Sequence, residues 1–147
     1  MADSVDLWFF PVPDGVGASC TQTADICACD RIDACALAAT GCLEGCSGPS
    51  ALELIRFVSC FEGSSSEGSC SPSKKNGCAA SSGTAAATMQ ACLANTTEVV
   101  AVQARIQAAS DNIRMYPSVH LDGRATLAQT DAALAKALCA KGVTGAC

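Results

Sequence analysis

The chain has 147 residues, a length that suits one domain, and 12 of them are cysteine, a density near that of disulfide scaffolds rather than ordinary cytosolic domains. Half of the residues are apolar on a count that includes the alanines and cysteines, and only 4% are aromatic, so small side chains are expected to build the core. The formal net charge of −5 argues against nucleic-acid binding, which needs clustered Lys and Arg to neutralise phosphates.

In chain order, Val5-Asp-Leu-Trp-Phe-Phe10 is β-prone and is closed by Pro11, Pro13 and Asp14-Gly15, which predicts a first, buried strand. Between Val16 and Ser50, six cysteines fall among Ala, Gly, Asp and Thr, and the only helix-like piece is Asp30–Ala39. Ser50-Ala-Leu-Glu53 has the capping-box spacing, and Leu52, Ile55, Phe57 and Val58 carry an apolar helical run to about Phe61. Gly63–Gly83 is rich in Ser and Gly and contains Pro72, Lys74-Lys75, Cys70 and Cys78. It reads as a loop held by disulfides.

Thr84–Ala94 is alanine-rich and helical in propensity, with Met89, Cys92 and Leu93 as its larger apolar groups. Thr96 or Thr97 is placed to cap the next helix, in which Val99, Val102, Ile106, Ala109 and Ile113 recur at intervals of three and four and form one apolar stripe. Met115–Gly123 predicts a strand opened by Pro117 and closed by an Asp122-Gly123 turn, with a brief strand following at Arg124–Thr126. Thr126-Leu-Ala-Gln starts a last helix through Leu127, Leu134 and Leu138 to Gly142. Helices and short strands in this order predict an α/β layout, a small sheet covered by helices.

The cysteines, Cys20, Cys27, Cys29, Cys35, Cys42, Cys46, Cys60, Cys70, Cys78, Cys92, Cys139 and Cys147, are even in number and predict disulfides in an oxidising compartment. Their spacing contains no Cys-x-x-Cys, and His120 is the single histidine, so no zinc or other metal site is expected. Met1-Ala-Asp-Ser-Val-Asp6 lacks the positive region of a secretory signal, and the sequence is read as a mature chain without its targeting segment. Asn76–Thr97 is uncharged but too rich in Ser, Thr, Asn, Gln and Gly for a transmembrane helix. Charge is uneven: residues 1–67 hold ten carboxylates against Arg31 and Arg56, a balance of −8, and residues 68–147 hold four against seven Lys and Arg, a balance of +3. This reads as a solvated acidic surface, with an oriented partner as the alternative.

Several of these features occur together in one known family. Phe57-Val-Ser-Cys60-Phe-Glu62, Cys70, Cys78, Met89-Gln-Ala-Cys92, Tyr116-Pro117-Ser-Val-His-Leu-Asp122-Gly123, and Cys139 with Cys147 resemble the C-terminal part of the gamma-interferon-inducible lysosomal thiol reductase family. Cys42-Leu-Glu-Gly-Cys46 resembles a shortened form of that family's Cys-Gln-His-Gly…Cys signature. The resemblance implies a thioredoxin-like small sheet covered by helices across a single domain of residues 1–147, with a divergent Cys-rich helical and loop insertion at 16–50 and the Ser/Gly-rich loop at 63–83. It also implies a cis peptide bond before Pro117, which faces the redox cysteines in thioredoxin folds.

The family's activity needs a Cys-x-x-Cys after the first strand, where a helix N-terminus lowers the thiol pKa and the resulting thiolate attacks a substrate disulfide. Here Pro13 and Val16 fall near the two sulfur positions. Cys20, Cys27 and Cys29 are the residual catalytic candidates. Cys42 and Cys46 sit four apart, but Asp25, Asp30 and Glu44 near the two pairs would raise a thiol pKa. Asn95-Thr96-Thr97 is an N-glycosylation triplet. His120 has no recognisable nucleophile partner and is read as an ordinary strand histidine.

The sequence therefore predicts a redox-inactive, reductase-like chain with a structural or protein-binding role and no cofactor. It would serve as an accessory subunit, bound peripherally to a membrane complex in a secretory, lysosomal or thylakoid lumen. The alternative is a divergent thiol-disulfide oxidoreductase that uses Cys20 or Cys27/Cys29.

Overall fold

A computed structural model describes residues 7–10, 24–62, 72–109, 118–121, 124–125, 136 and 139–140. Among these residues five helices are described in full, α1 (Ala24–Thr40), α2 (Gly48–Glu62), α3 (Pro72–Ser82), α4 (Ala86–Ala94) and α5 (Thr96–Ala109), and residues 136, 139 and 140 are also helical. Three short strands, β1 (Leu7–Phe10), β2 (Ser118–Leu121) and β3 (Arg124–Ala125), form an antiparallel sheet in the order β1-β2-β3. Leu7 pairs with Leu121 and Phe10 with Ser118 across β1 and β2, and His120 pairs with Ala125 across β2 and β3.

Helix α1 is central and packs on α2, α4 and α5, while α3 lies chiefly on α2. Its residues explain the position. Every residue from Ile32 to Leu37 is buried, and apart from Asp33 each is Ile, Leu, Ala or Cys, so neighbouring helices approach from several sides. A helix apolar all round is stable only when it is enclosed. Ala34 and Leu37 join Leu54 of α2 and Val102 and Ile106 of α5 in one buried cluster. Ile32, Cys35 and Ala36 join Phe57 and Phe61 of α2, Cys78 of α3, Met89 and Cys92 of α4 and Val99 of α5 in a second. The rings of Phe57 and Phe61 stack with centroids 5.6 Å apart.

Local chemistry ends the helices where packing requires. After α1, Gly41 takes φ +73°, its N–H donates to the Ala38 carbonyl at 3.2 Å, and the Cys42 N–H donates to the Leu37 carbonyl at 2.9 Å. These paired bonds form a Schellman motif, which needs a left-handed residue and therefore favours glycine. Cys42 and Leu37 meet in the same apolar cluster, completing the motif's hydrophobic contact. Gly83, at φ +84°, follows the last residue of α3 in the same conformation.

The expected fold class is corrected. A thioredoxin-like α/β fold buries its helices on the faces of a central sheet, whereas here helices of 9 to 17 residues bury their apolar sides mainly on one another, and the strands are only four, four and two residues long. The segment assigned to an insertion, 16–50, supplies the central helix. Helicity there begins at Ala24 rather than Asp30. The loop expected at Gly63–Gly83 contains α3 over its second part, because Cys78 and Ala79 are buried against α2 and order a segment of poor helix propensity. Helix α2 starts at Gly48, ahead of the expected Ser50. Ala109 in the expected stripe of α5 is exposed. Pro117, Ile113 and most of the last predicted helix lie outside the described residues.

Candidate functional site

Sulfur is the distinctive chemistry of this chain. Cys35 in the middle of α1 bonds Cys92 in α4, with the two Cα atoms 5.7 Å apart and a sequence separation of 57. Both are enclosed, at 0% and 2% exposure. The bridge runs through the second apolar cluster, where cysteine also serves as a small hydrophobe. Cys60, exposed on α2, bonds Cys78, buried on α3, across 18 residues of sequence. The Ser81 hydroxyl donates to the Cys60 sulfur at 3.9 Å. Beside this bridge the Lys74 ammonium lies 5.2 Å from the centroid of the Phe61 ring, a cation–π contact that adds to the α3–α2 attachment.

Cys42 and Cys46 close a five-residue turn between α1 and α2. Gly45 takes φ +82° inside it. Glu44 projects from the same turn to pair with Arg105 of α5 at 2.6 Å. Cys42 is buried and Cys46 half-buried, so the turn's sulfur is largely covered from an attacking thiolate.

The residual catalytic candidates are placed differently from an exchange pair. Cys27 and Cys29 both lie on α1, half-buried, and each is disulfide-bonded. Residues two apart on a helix do not face each other, so these sulfurs point to different sides of α1. The Cys27 carbonyl accepts a hydrogen bond from Arg31 Nε at 3.4 Å. Cys139 is also disulfide-bonded. Cys20, Cys70 and Cys147 lie outside the described residues. Among the described residues no cysteine is free and no group of His, Cys, Asp and Glu is arranged to hold a metal ion. Nor is any described helix long and apolar enough to cross a membrane.

Asn95 occupies the junction of α4 and α5 and serves both helices. Its N–H donates to the Cys92 carbonyl at 3.0 Å, closing α4. Its Oδ1 accepts the Glu98 N–H at 3.2 Å, so Asn95 is the N-cap of α5 in place of the expected Thr96 or Thr97. The legible signal for this is Asn95 followed three residues later by Glu98, which also puts a carboxylate in the first turn, where the helix dipole favours it.

No family model, curated protein or solved structure matches this chain. The disulfides indicate an oxidising compartment.

Proposed function

We propose that this chain is a structural or protein-binding subunit of an oxidising lumen, whose disulfides hold a helical surface rigid for a protein partner and perform no thiol-disulfide exchange. The observation that carries this reading is the placement of Cys35–Cys92, enclosed between α1 and α4 within the apolar core. A sulfur that attacks or is attacked must be reached by its partner, and these two are not. Cys27 and Cys29 support the same reading, because their positions on α1 turn them away from one another. The reading stands on these bridges and needs no kinship with the reductase family. A peripheral attachment to the lumenal side of a membrane complex suits an acidic chain in which no described helix is long and apolar enough to span a bilayer.

Two measurements test it. In an insulin-reduction assay with dithiothreitol, the full chain should add nothing to the uncatalysed rate. Turnover that disappears in Cys27→Ser or Cys20→Ser would overturn the reading in favour of a divergent oxidoreductase. Affinity purification from the native source at low salt should recover the chain with a stoichiometric protein partner, and recovery as a free monomer would count against a subunit.

A further inference from the structure

We propose that Asn95 is an N-glycosylation site, its amide nitrogen carrying an oligosaccharide while its amide oxygen caps α5. The triplet Asn95-Thr96-Thr97 is exposed at all three positions and sits where one helix ends and the next begins. Asn95 itself has φ −104° and ψ 93°, an extended conformation outside both helices. The buried residues flanking the triplet, Cys92 and Val99, are three and two residues away from its ends and hold the two helices into the core. A bulky hydrophilic group on Asn95 therefore projects from a fixed corner and displaces no apolar contact.

The cap decides which atom of the side chain remains available. Oδ1 is engaged by the Glu98 N–H at 3.2 Å, and Nδ2 has no hydrogen-bond partner among the described residues. An N-linked glycan is attached through Nδ2 and leaves the carbonyl oxygen intact as an acceptor. Capping and glycosylation therefore use opposite ends of the same amide. The donor class is a lipid-pyrophosphate-linked oligosaccharide. Nδ2 forms a bond to the anomeric carbon of the first sugar, and that carbon's bond to the pyrophosphate oxygen breaks. The lipid pyrophosphate leaves with the electron pair, one amide proton is released, and nothing is oxidised or reduced. Transfer takes place as the chain enters a secretory lumen, and the folded junction then has to accommodate the product, as this one does.

The inference goes beyond the proposed structural role and is tested separately from it. The full chain, isolated from its native source, is treated with a peptide amidase that releases N-glycans, in heavy-oxygen water. The expected result is a gain in gel mobility and an isotope-labelled aspartate at position 95. Expressed with a secretory leader in eukaryotic cells, Thr97→Ala and Asn95→Asp should both lose the mobility shift, and Thr97→Ser should keep it. Asn95→Asp retains an acceptor oxygen for Glu98, so its loss of shift with an unchanged helical circular-dichroism spectrum separates loss of the nucleophile from loss of the fold. An unshifted wild-type chain from the native source, or a shift that survives in Thr97→Ala, would overturn the proposal and leave the role of the disulfides untouched.

Discussion

Removing the Cys35–Cys92 bridge should cost more than removing any other described bridge, although it adds no contact at the surface. A disulfide stabilises largely by restricting the unfolded chain, and its effect grows with the length of the loop it closes. With a sequence separation of 57 between its ends, this bridge contributes about 4 kcal/mol in the chain-entropy treatment. Cys42–Cys46, with a separation of 4, contributes about 2 kcal/mol on the same basis. The sulfurs of Cys35 and Cys92 also fill space in a core with 0% and 2% exposure, so truncating both to alanine adds a packing loss on the order of 1 kcal/mol.

Typical domains have only about 5–15 kcal/mol of stability in total. The double variant Cys35→Ala/Cys92→Ala should therefore approach the folding threshold, with Tm lower by roughly 10–20 °C, while Cys42→Ala/Cys46→Ala should remain well folded. Both residues of a bridge are replaced so that no lone thiol can reshuffle the other pairs. Urea unfolding without reductant, followed by helical circular dichroism, gives the two free energies. If Cys35→Ala/Cys92→Ala loses no more stability than Cys42→Ala/Cys46→Ala, the account of this bridge as the main internal tie is wrong.

Other substitutions probe the same core and its edges. Phe57→Ala removes a fully enclosed ring that stacks on Phe61. It should lower the unfolding free energy by about 3–5 kcal/mol, and a loss below about 1 kcal/mol would mean that the helices are not packed around it as described. Arg105→Ala breaks the pair with Glu44, but the side chains are 53% and 77% exposed. Its effect should stay under about 1 kcal/mol and shrink further in salt, and a larger, salt-independent loss in the same urea titration would contradict a solvated pair. In native-state reduction with dithiothreitol, of the three bridges with both ends among the described residues, Cys60–Cys78 should open first because Cys60 is exposed, and Cys35–Cys92 last. Timed alkylation and peptide mass mapping read the order, and early opening of Cys35–Cys92 would refute it.

Legibility of an element depended on whether a residue's surroundings leave a mark on its neighbours in sequence. Val99, Val102 and Ile106 lie on one side of α5 and are buried, and polar residues around them make the period visible. Helix α1 is legible only in part, over Asp30–Ala39: residues 32 to 37 are buried from several sides, so alanine and cysteine in succession show no one-sided stripe, and the extension back to Ala24 leaves no mark in the sequence. Helix α3, where the sequence reads a loop, is hidden for the opposite reason. Pro-Ser-Lys-Lys-Asn-Gly has little propensity of its own, and the segment is helical because Cys78 is bonded to α2 and Ala79 packs beside it. Pro72 at its first position and Gly83 after its last are the punctuation that marks it.

The redox setting follows from the amino acids alone, since twelve cysteines without metal-binding spacing require oxidation, and so do those helices whose apolar residues fall on one face. The three short strands are legible there too, β1 from its aromatic residues, β2 from alternation and β3 from the Asp122-Gly123 turn before it, because these signals act over a few positions. Which elements dominate emerges only in three dimensions. Burial of α1 by α2, α4 and α5 makes the architecture helical, and no local window contains a helix's neighbours. The partners of Cys35, Cys42 and Cys60 likewise come from the folded arrangement. A disulfide depends on distance and direction between backbones, and cysteine spacing along the chain specifies neither.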